Sequence, residues 1–183
     1  MPEKVYIIEW LQEIRLSVPE LIAWYHRPEH LLPLCKACEN YGKNYACPPA
    51  EIDLQEMMQK YSHIRLFAAK LHLEVPVKKS EIEAIFVDAM FQFNKRLFEK
   101  EAEMAGSLAA VPGSCWLCSE CARIQGVPCR YPEKLRMSLD AFSLEIALIA
   151  KELFQLEIQW YNEKQPDYLS MIGGILINSS TVQ

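Results

Sequence analysis

The sequence predicts a small α/β fold, a sheet of three or more strands packed with helices, from which two cysteine-rich metal loops project. Three features carry that expectation. Long segments place apolar residues at helical spacing, most clearly the one opened by Ser80 and Glu83. The runs Ile64 to Val75 and Leu169 to Asn178 read as strands, and two irregular stretches, 34–50 and 106–137, hold every cysteine in the chain.

Taken in order, Lys4 to Leu16 has apolar residues at helical spacing and Pro19 can open a second short helix, so 1–33 reads as a helical N-terminal lobe. The first cysteine loop, 34–50, follows, broken by Asn-Tyr-Gly-Lys-Asn and Cys-Pro-Pro, which cannot continue a helix. Asp53 with Glu56 has the form of a capping box for a helix to about Tyr61, ahead of the strand from Ile64. Ser80 and Glu83 form another, opening an amphipathic helix to about Met104 whose Ile82, Ile85, Phe86, Phe93 and Phe98 belong to a core. The second cysteine loop, 106–137, is interrupted by Pro112, Gly113, Gly126, Pro128 and Pro132. Ser138 then caps a helix to about Phe154, and Glu157 to Tyr161 and Leu169 to Asn178 read as two strands around a turn at Glu163 to Asp167.

With 183 residues the chain has room for a single domain, 1–183, able to bury its own core. Hydrophobic residues at 51%, charged residues at 23% and a mean hydropathy of -0.04 describe a soluble globular protein, not a disordered or collagen-like one. A net charge of -5 argues against a nucleic-acid surface, which needs clustered Lys and Arg to neutralise phosphates. The longest apolar stretches, near Ile146 to Ala150 and Met171 to Ile177, fall short of the ~20 residues of a helical span, so no membrane role is expected. Glu3, Lys4 and Glu9 at the start, with no small-residue cleavage site, point to a cytoplasmic protein.

The seven cysteines fall into two groups, Cys35, Cys38 and Cys47, then Cys115, Cys118, Cys121 and Cys129. An odd count in a chain without a secretory signal disfavours a disulfide framework and favours metal ligation. Cys115-Trp-Leu-Cys-Ser-Glu-Cys packs three thiols into seven residues, a compact loop able to wrap three corners of an iron–sulfur cubane, with Cys129 as the fourth ligand. Zinc is served less well, because its sites pair two knuckles of two ligands each. Arg123, Arg130, Lys134 and Arg136 outnumber Glu120 and Glu133 nearby and would offset the negative charge of a thiolate-ligated cluster.

The first group offers three soft ligands and no fourth cysteine. A structural zinc could complete itself with His30 or His26, a second cluster could leave one iron open to substrate, or the thiols could serve the other loop. His63 and His72, in the strand region, read as packed or surface imidazoles.

Cys38-Glu-Asn-Tyr-Gly-Lys-Asn-Tyr-Ala-Cys-Pro-Pro, then Gly113-Ser-Cys-Trp-Leu-Cys-Ser-Glu-Cys, Pro128-Cys-Arg-Tyr-Pro and Arg136-Met-Ser, resemble in order the motifs of a widespread prokaryotic family of predicted metal-binding proteins, domain of unknown function 2284. The resemblance runs from about Cys35 to Asn178; it departs in the gap before Cys38 and in Tyr45, where the family usually has Trp. It implies metal binding and supplies no substrate. Three functions follow: an iron–sulfur electron carrier with one 4Fe–4S cluster and a redox partner protein; an enzyme using an open-site metal or second cluster at Cys35, Cys38 and Cys47 on a small-molecule substrate; and a zinc-stabilised interaction module. No Gly-x-Gly-x-x-Gly or phosphate loop marks a nucleotide site.

Overall fold

The computed structural model describes residues 6–160 and 164–178. Its centre is a pair of long strands, β3 (His63–Leu73) and β5 (Tyr168–Ile177), joined in antiparallel register from His63↔Ile177 to His72↔Tyr168. Both supply apolar residues to both faces because both faces are covered, although Arg65, Lys70 and His72 of β3 stay partly exposed. Ile64, Leu66 and Ala68 face one side, against Val18, Leu21 and Tyr25 of α1 (Val18–Tyr25), Met58 of α3 (Leu54–Gln59), and Ile149 and Ala150 of α5 (Ile146–Phe154). Phe67, Ala69 and Leu71 face the other, against Ala89, Met90, Phe93 and Leu97 of α4 (Lys79–Ala102). The result is a mixed α/β architecture, a five-stranded antiparallel sheet between helices.

Close packing of α4 on β5 depends on Gly173, where a Cβ would stand 2.8 Å from both the Ala110 carbonyl oxygen and Leu97 Cδ1. β4 (Leu108–Ala110) pairs with Leu176 to Gly174 on the outer edge of β5. Strands β1 (Tyr6–Trp10) and β2 (Ile14–Ser17) share the outer edge of β3, one on each half of it.

Those two strands correct the helix expected over Lys4 to Leu16, and with it the wholly helical lobe at 1–33; Lys4 and Val5 lie outside the described residues. Tyr6, Ile8 and Trp10 alternate inward onto the α4 side, with Trp10 stacked on Phe93 at 4.9 Å, so pairing with β3 prevails over helical spacing. Helix α1 does follow, capped by Ser17, whose Oγ accepts from the Glu20 N–H while the Glu20 carboxylate accepts from the Ser17 N–H.

Four boundaries also move. Helix α2 (Pro28–Ala37) carries Cys35 in its last turn, so the first loop proper starts at Cys38. Helix α4 opens at Lys79, where the Lys78 N–H donates to Glu81, in place of the Ser80 and Glu83 pair. Ser138 Oγ accepts from the Ala141 N–H in a turn, and the left-handed Ser143 (φ 58°) separates that turn from α5. Glu157 to Trp160 has no strand partner among the described residues, and Tyr161 and Glu163 lie outside them. Among the described residues no helix is long and apolar enough to cross a membrane.

Candidate metal centre

Cys38 closes α2, its N–H donating to the Cys35 carbonyl at 3.0 Å. Gly42, in the left-handed region at φ 70°, turns the chain back so that its N–H reaches the Pro48 carbonyl at 2.9 Å, while the Cys47 N–H donates to the Asn44 carbonyl at 3.0 Å. This folding brings Cys35, Cys38 and Cys47 around a cavity of about 200 Å³ shared with Tyr41, Gly113 and Asp140. Burial pushes the Cys47 thiol up to about 11, reinforced by Cys38, Cys35 and Cys115; burial, then Asp140 and Cys38, raise Cys35. Burial also pushes the Asp140 carboxyl up to about 6. Left to themselves the two thiols favour their protonated forms, and a bound cation would invert that preference.

The second group hangs from β4. After Gly113 (φ 71°) come Cys115, Cys118 and Cys121, a short 3-10 turn at Ala122–Gln125 ended by Gly126 (φ 66°), then Cys129. All four thiols line a cleft of about 400 Å³ together with Lys43, Asn44 and Tyr45 from the first loop. Cys115 is raised first by burial, opposed by a hydrogen bond from the Leu117 backbone, and raised further by Cys121, Cys129 and Cys118, so all three partners act on it.

The loops are locked together. Asn44, buried at 7% exposure, accepts from the Ala46 N–H through Oδ1 (2.9 Å) and donates from Nδ2 to the Cys115 carbonyl (3.1 Å). Arg123 sends Nη1 to the carbonyls of Asn44 and Cys47, both at 3.0 Å, and Nη2 to that of Pro49 at 2.6 Å, with Tyr45 5.4 Å below its guanidinium. The Tyr45 hydroxyl donates to the Val127 carbonyl at 2.9 Å. Of the four basic residues singled out in sequence, Arg130 lines the cleft, whereas Arg123 is spent on the loop joint, Arg136 pairs with Glu101 at 2.8 Å and Lys134 sits over Tyr131.

Neither histidine offered as a fourth ligand lines the three-thiol cavity. His30 pairs with Glu145 at 3.4 Å, and His26 bridges Leu144 through its backbone. Asp140 does line it, and nothing in its sequence neighbourhood marks it. His72 pairs with Glu9 and His63 contacts Ser62 Oγ, away from both cavities. Among the described residues no group of three or more His, Cys, Asp or Glu side chains is placed to hold a metal ion, so the thiols stand grouped by cavity and not as a formed coordination sphere.

As a donor set, four thiols on one cleft fit a thiophilic metal or an iron–sulfur cluster. A two-sided α/β sheet presenting two interlocked thiol loops defines a class, the cysteine-rich metal-binding protein. The chain belongs to the family described as predicted metal-binding protein (DUF2284), whose model matches residues 28–177 and so takes in both loops. No match was found among curated proteins or among solved structures.

Proposed function

We propose that this metal-binding protein is an iron–sulfur protein with a redox role, in which Cys115, Cys118, Cys121 and Cys129 hold one 4Fe–4S cluster. The observation that carries the reading is that these four, and no other cysteine among the described residues, line the 400 Å³ cleft. A cluster bound there supplies one-electron transfer. The chain's own part is to ligate through four thiolates, to offset their charge with Lys43 and Arg130, and to shield the cleft with the half-exposed Trp116 and Leu117. The same apolar rim, beside Phe91 and Phe98, is where a redox partner protein would dock in the cytoplasm. Anaerobic purification followed by iron and acid-labile sulfide analysis tests this. About four irons and four sulfides, lost in Cys118→Ser, are expected. Zinc without sulfide would overturn it in favour of a structural module.

A second reading, small-molecule chemistry at a metal on Cys35, Cys38 and Cys47, is favoured by one observation: the described cavity lining there contains no histidine and one carboxylate, Asp140. Three thiolates would leave a position open for substrate. Adding cyanide to the reduced protein and recording its paramagnetic spectrum tests this; a spectrum unchanged from that of the untreated protein defeats it.

A further inference from the structure

β4 pairs with β5 only from Leu176 to Gly174, which leaves Tyr168 to Gly173 without a partner strand on that edge among the described residues. Against this open edge lies a cavity of about 910 Å³, bounded by α2, the start of α4, the start of α5 and the chain before β5. Its size falls at the upper end of the ~300–1,000 Å³ typical of small-molecule sites. The walls are mainly apolar, with Leu34, Phe86, Ile158 and Trp160 prominent, and Leu34 and Trp160 are 58% and 74% exposed. Ser170, whose Oγ is buried without a hydrogen-bond partner, belongs to the same wall.

The charged lining residues are one-sided. Glu83, Asp140 and Glu145 face the cavity, the sole opposing group among the described lining residues is the His30 imidazole beside Glu145, and no Lys or Arg is present. We propose that this cavity binds a small organic cation, an apolar body carrying an ammonium group. Apolar walls disfavour a hydrated inorganic ion, the three carboxylates disfavour an anion, and aromatic faces such as Trp160 and Phe86 attract ammonium groups. Asp140 and Gly113 also line the three-thiol cavity, so the bound molecule lies directly beside those thiols. The site does not depend on the metal reading, since none of its walls is a cysteine.

Titration of the full chain with phenethylammonium and with 3-phenylpropanoate, followed calorimetrically, tests the proposal. The cation is expected to bind at least about tenfold more tightly than the anion. The double substitution Glu83→Gln and Glu145→Gln should cut that preference to about threefold or less, and Ala147→Trp, which fills the cavity from an exposed position on α5, should abolish binding of both. Phe91→Glu, on the separate apolar patch, should change neither. Equal or tighter binding of the anion, a cation affinity untouched by the double substitution, or no binding of either probe to the unaltered chain would each overturn it. Retained binding in a folded Ala147→Trp variant would do the same.

Discussion

The amide of Asn44 donates to the backbone carbonyl of Cys115 across a gap of 3.1 Å, and through this partly buried contact the first cysteine loop is built onto the second. Two loops far apart in sequence thereby share one rigid joint, completed by the guanidinium of Arg123. A metal held as proposed at one loop would bind with an affinity coupled to the order of the other, because a ligand that must be held in place costs less to bind when its backbone is already fixed.

Asn44→Ala removes both side-chain bonds and leaves the Ala46 N–H and the Cys115 carbonyl without their partner. Of the two, the Ala46 bond is the buried one, and leaving one buried polar group unpaired costs about 1–3 kcal/mol. Urea denaturation of the metal-free variant should show a loss in that range, and a loss below about 0.5 kcal/mol would remove Asn44 from the joint.

Arg123→Lys is expected to behave like Arg123→Ala. Lysine keeps the charge but cannot span three carbonyls with a planar fork. With the joint loosened, the partly buried Cys47 should react with a thiol reagent several-fold faster than in the unaltered chain, at about unchanged far-ultraviolet circular dichroism. Full protection of Cys47 in Arg123→Lys would show that charge, not geometry, holds the loop.

Much of this was legible in the sequence, and the reasons are physical. β3 announces itself by alternation and β5 by an apolar run, because both strands supply core residues to both faces of the sheet. The cysteine groups announce themselves because short spacings of one thiol-bearing residue type are the pattern that metal ligation would impose. Residues 6–17 did not, since Ile8 and Leu11 fit a helical stripe as well as Tyr6, Ile8 and Trp10 fit an alternating one, and the choice is made by β3, remote in the chain. Asn44 is an ordinary polar letter in a polar loop, and Asp140 a single acid among apolar residues in a stretch that reads as helix; only the tertiary fold shows one buried in the joint and the other at the shared wall of two cavities.

Gly173, at the interface of α4 with β5, contrasts with Gly126, at the end of the 3-10 turn in the second cysteine loop. Gly173→Ala puts a methyl 2.8 Å from the Ala110 carbonyl oxygen and 3.1 Å from Phe93 Cε1, so backbone as well as side chains must shift. Overpacking of this kind costs about 1–3 kcal/mol. Gly126→Ala meets nothing within 4 Å and carries only its left-handed φ of 66°, about 1–2 kcal/mol. Thermal melts should therefore place Gly173→Ala at or below Gly126→Ala; the reverse order would mean that α4 moves off the sheet more easily than its packing implies.

His26 gives the metal-free protein a pH dependence whose direction is fixed by where the ring sits. Burial lowers its pKa, the Arg27 charge acts the same way, and Glu29 and Asp53 oppose them without prevailing. A histidine whose folded pKa lies below its unfolded value of about 6.5 binds fewer protons folded than unfolded. Its contribution is therefore neutral well above pH ~6.5 and turns destabilising as pH falls through that value, reaching its full extent below the folded pKa. His26→Gln removes the titrating ring while keeping a polar side chain of similar length. The difference in urea-denaturation free energy between the two chains isolates this group from the other titrations. Relative to the variant, the unaltered chain should lose stability between about pH 7 and pH 5, and a difference independent of pH would mean that the imidazole is as well solvated in the fold as in the unfolded chain.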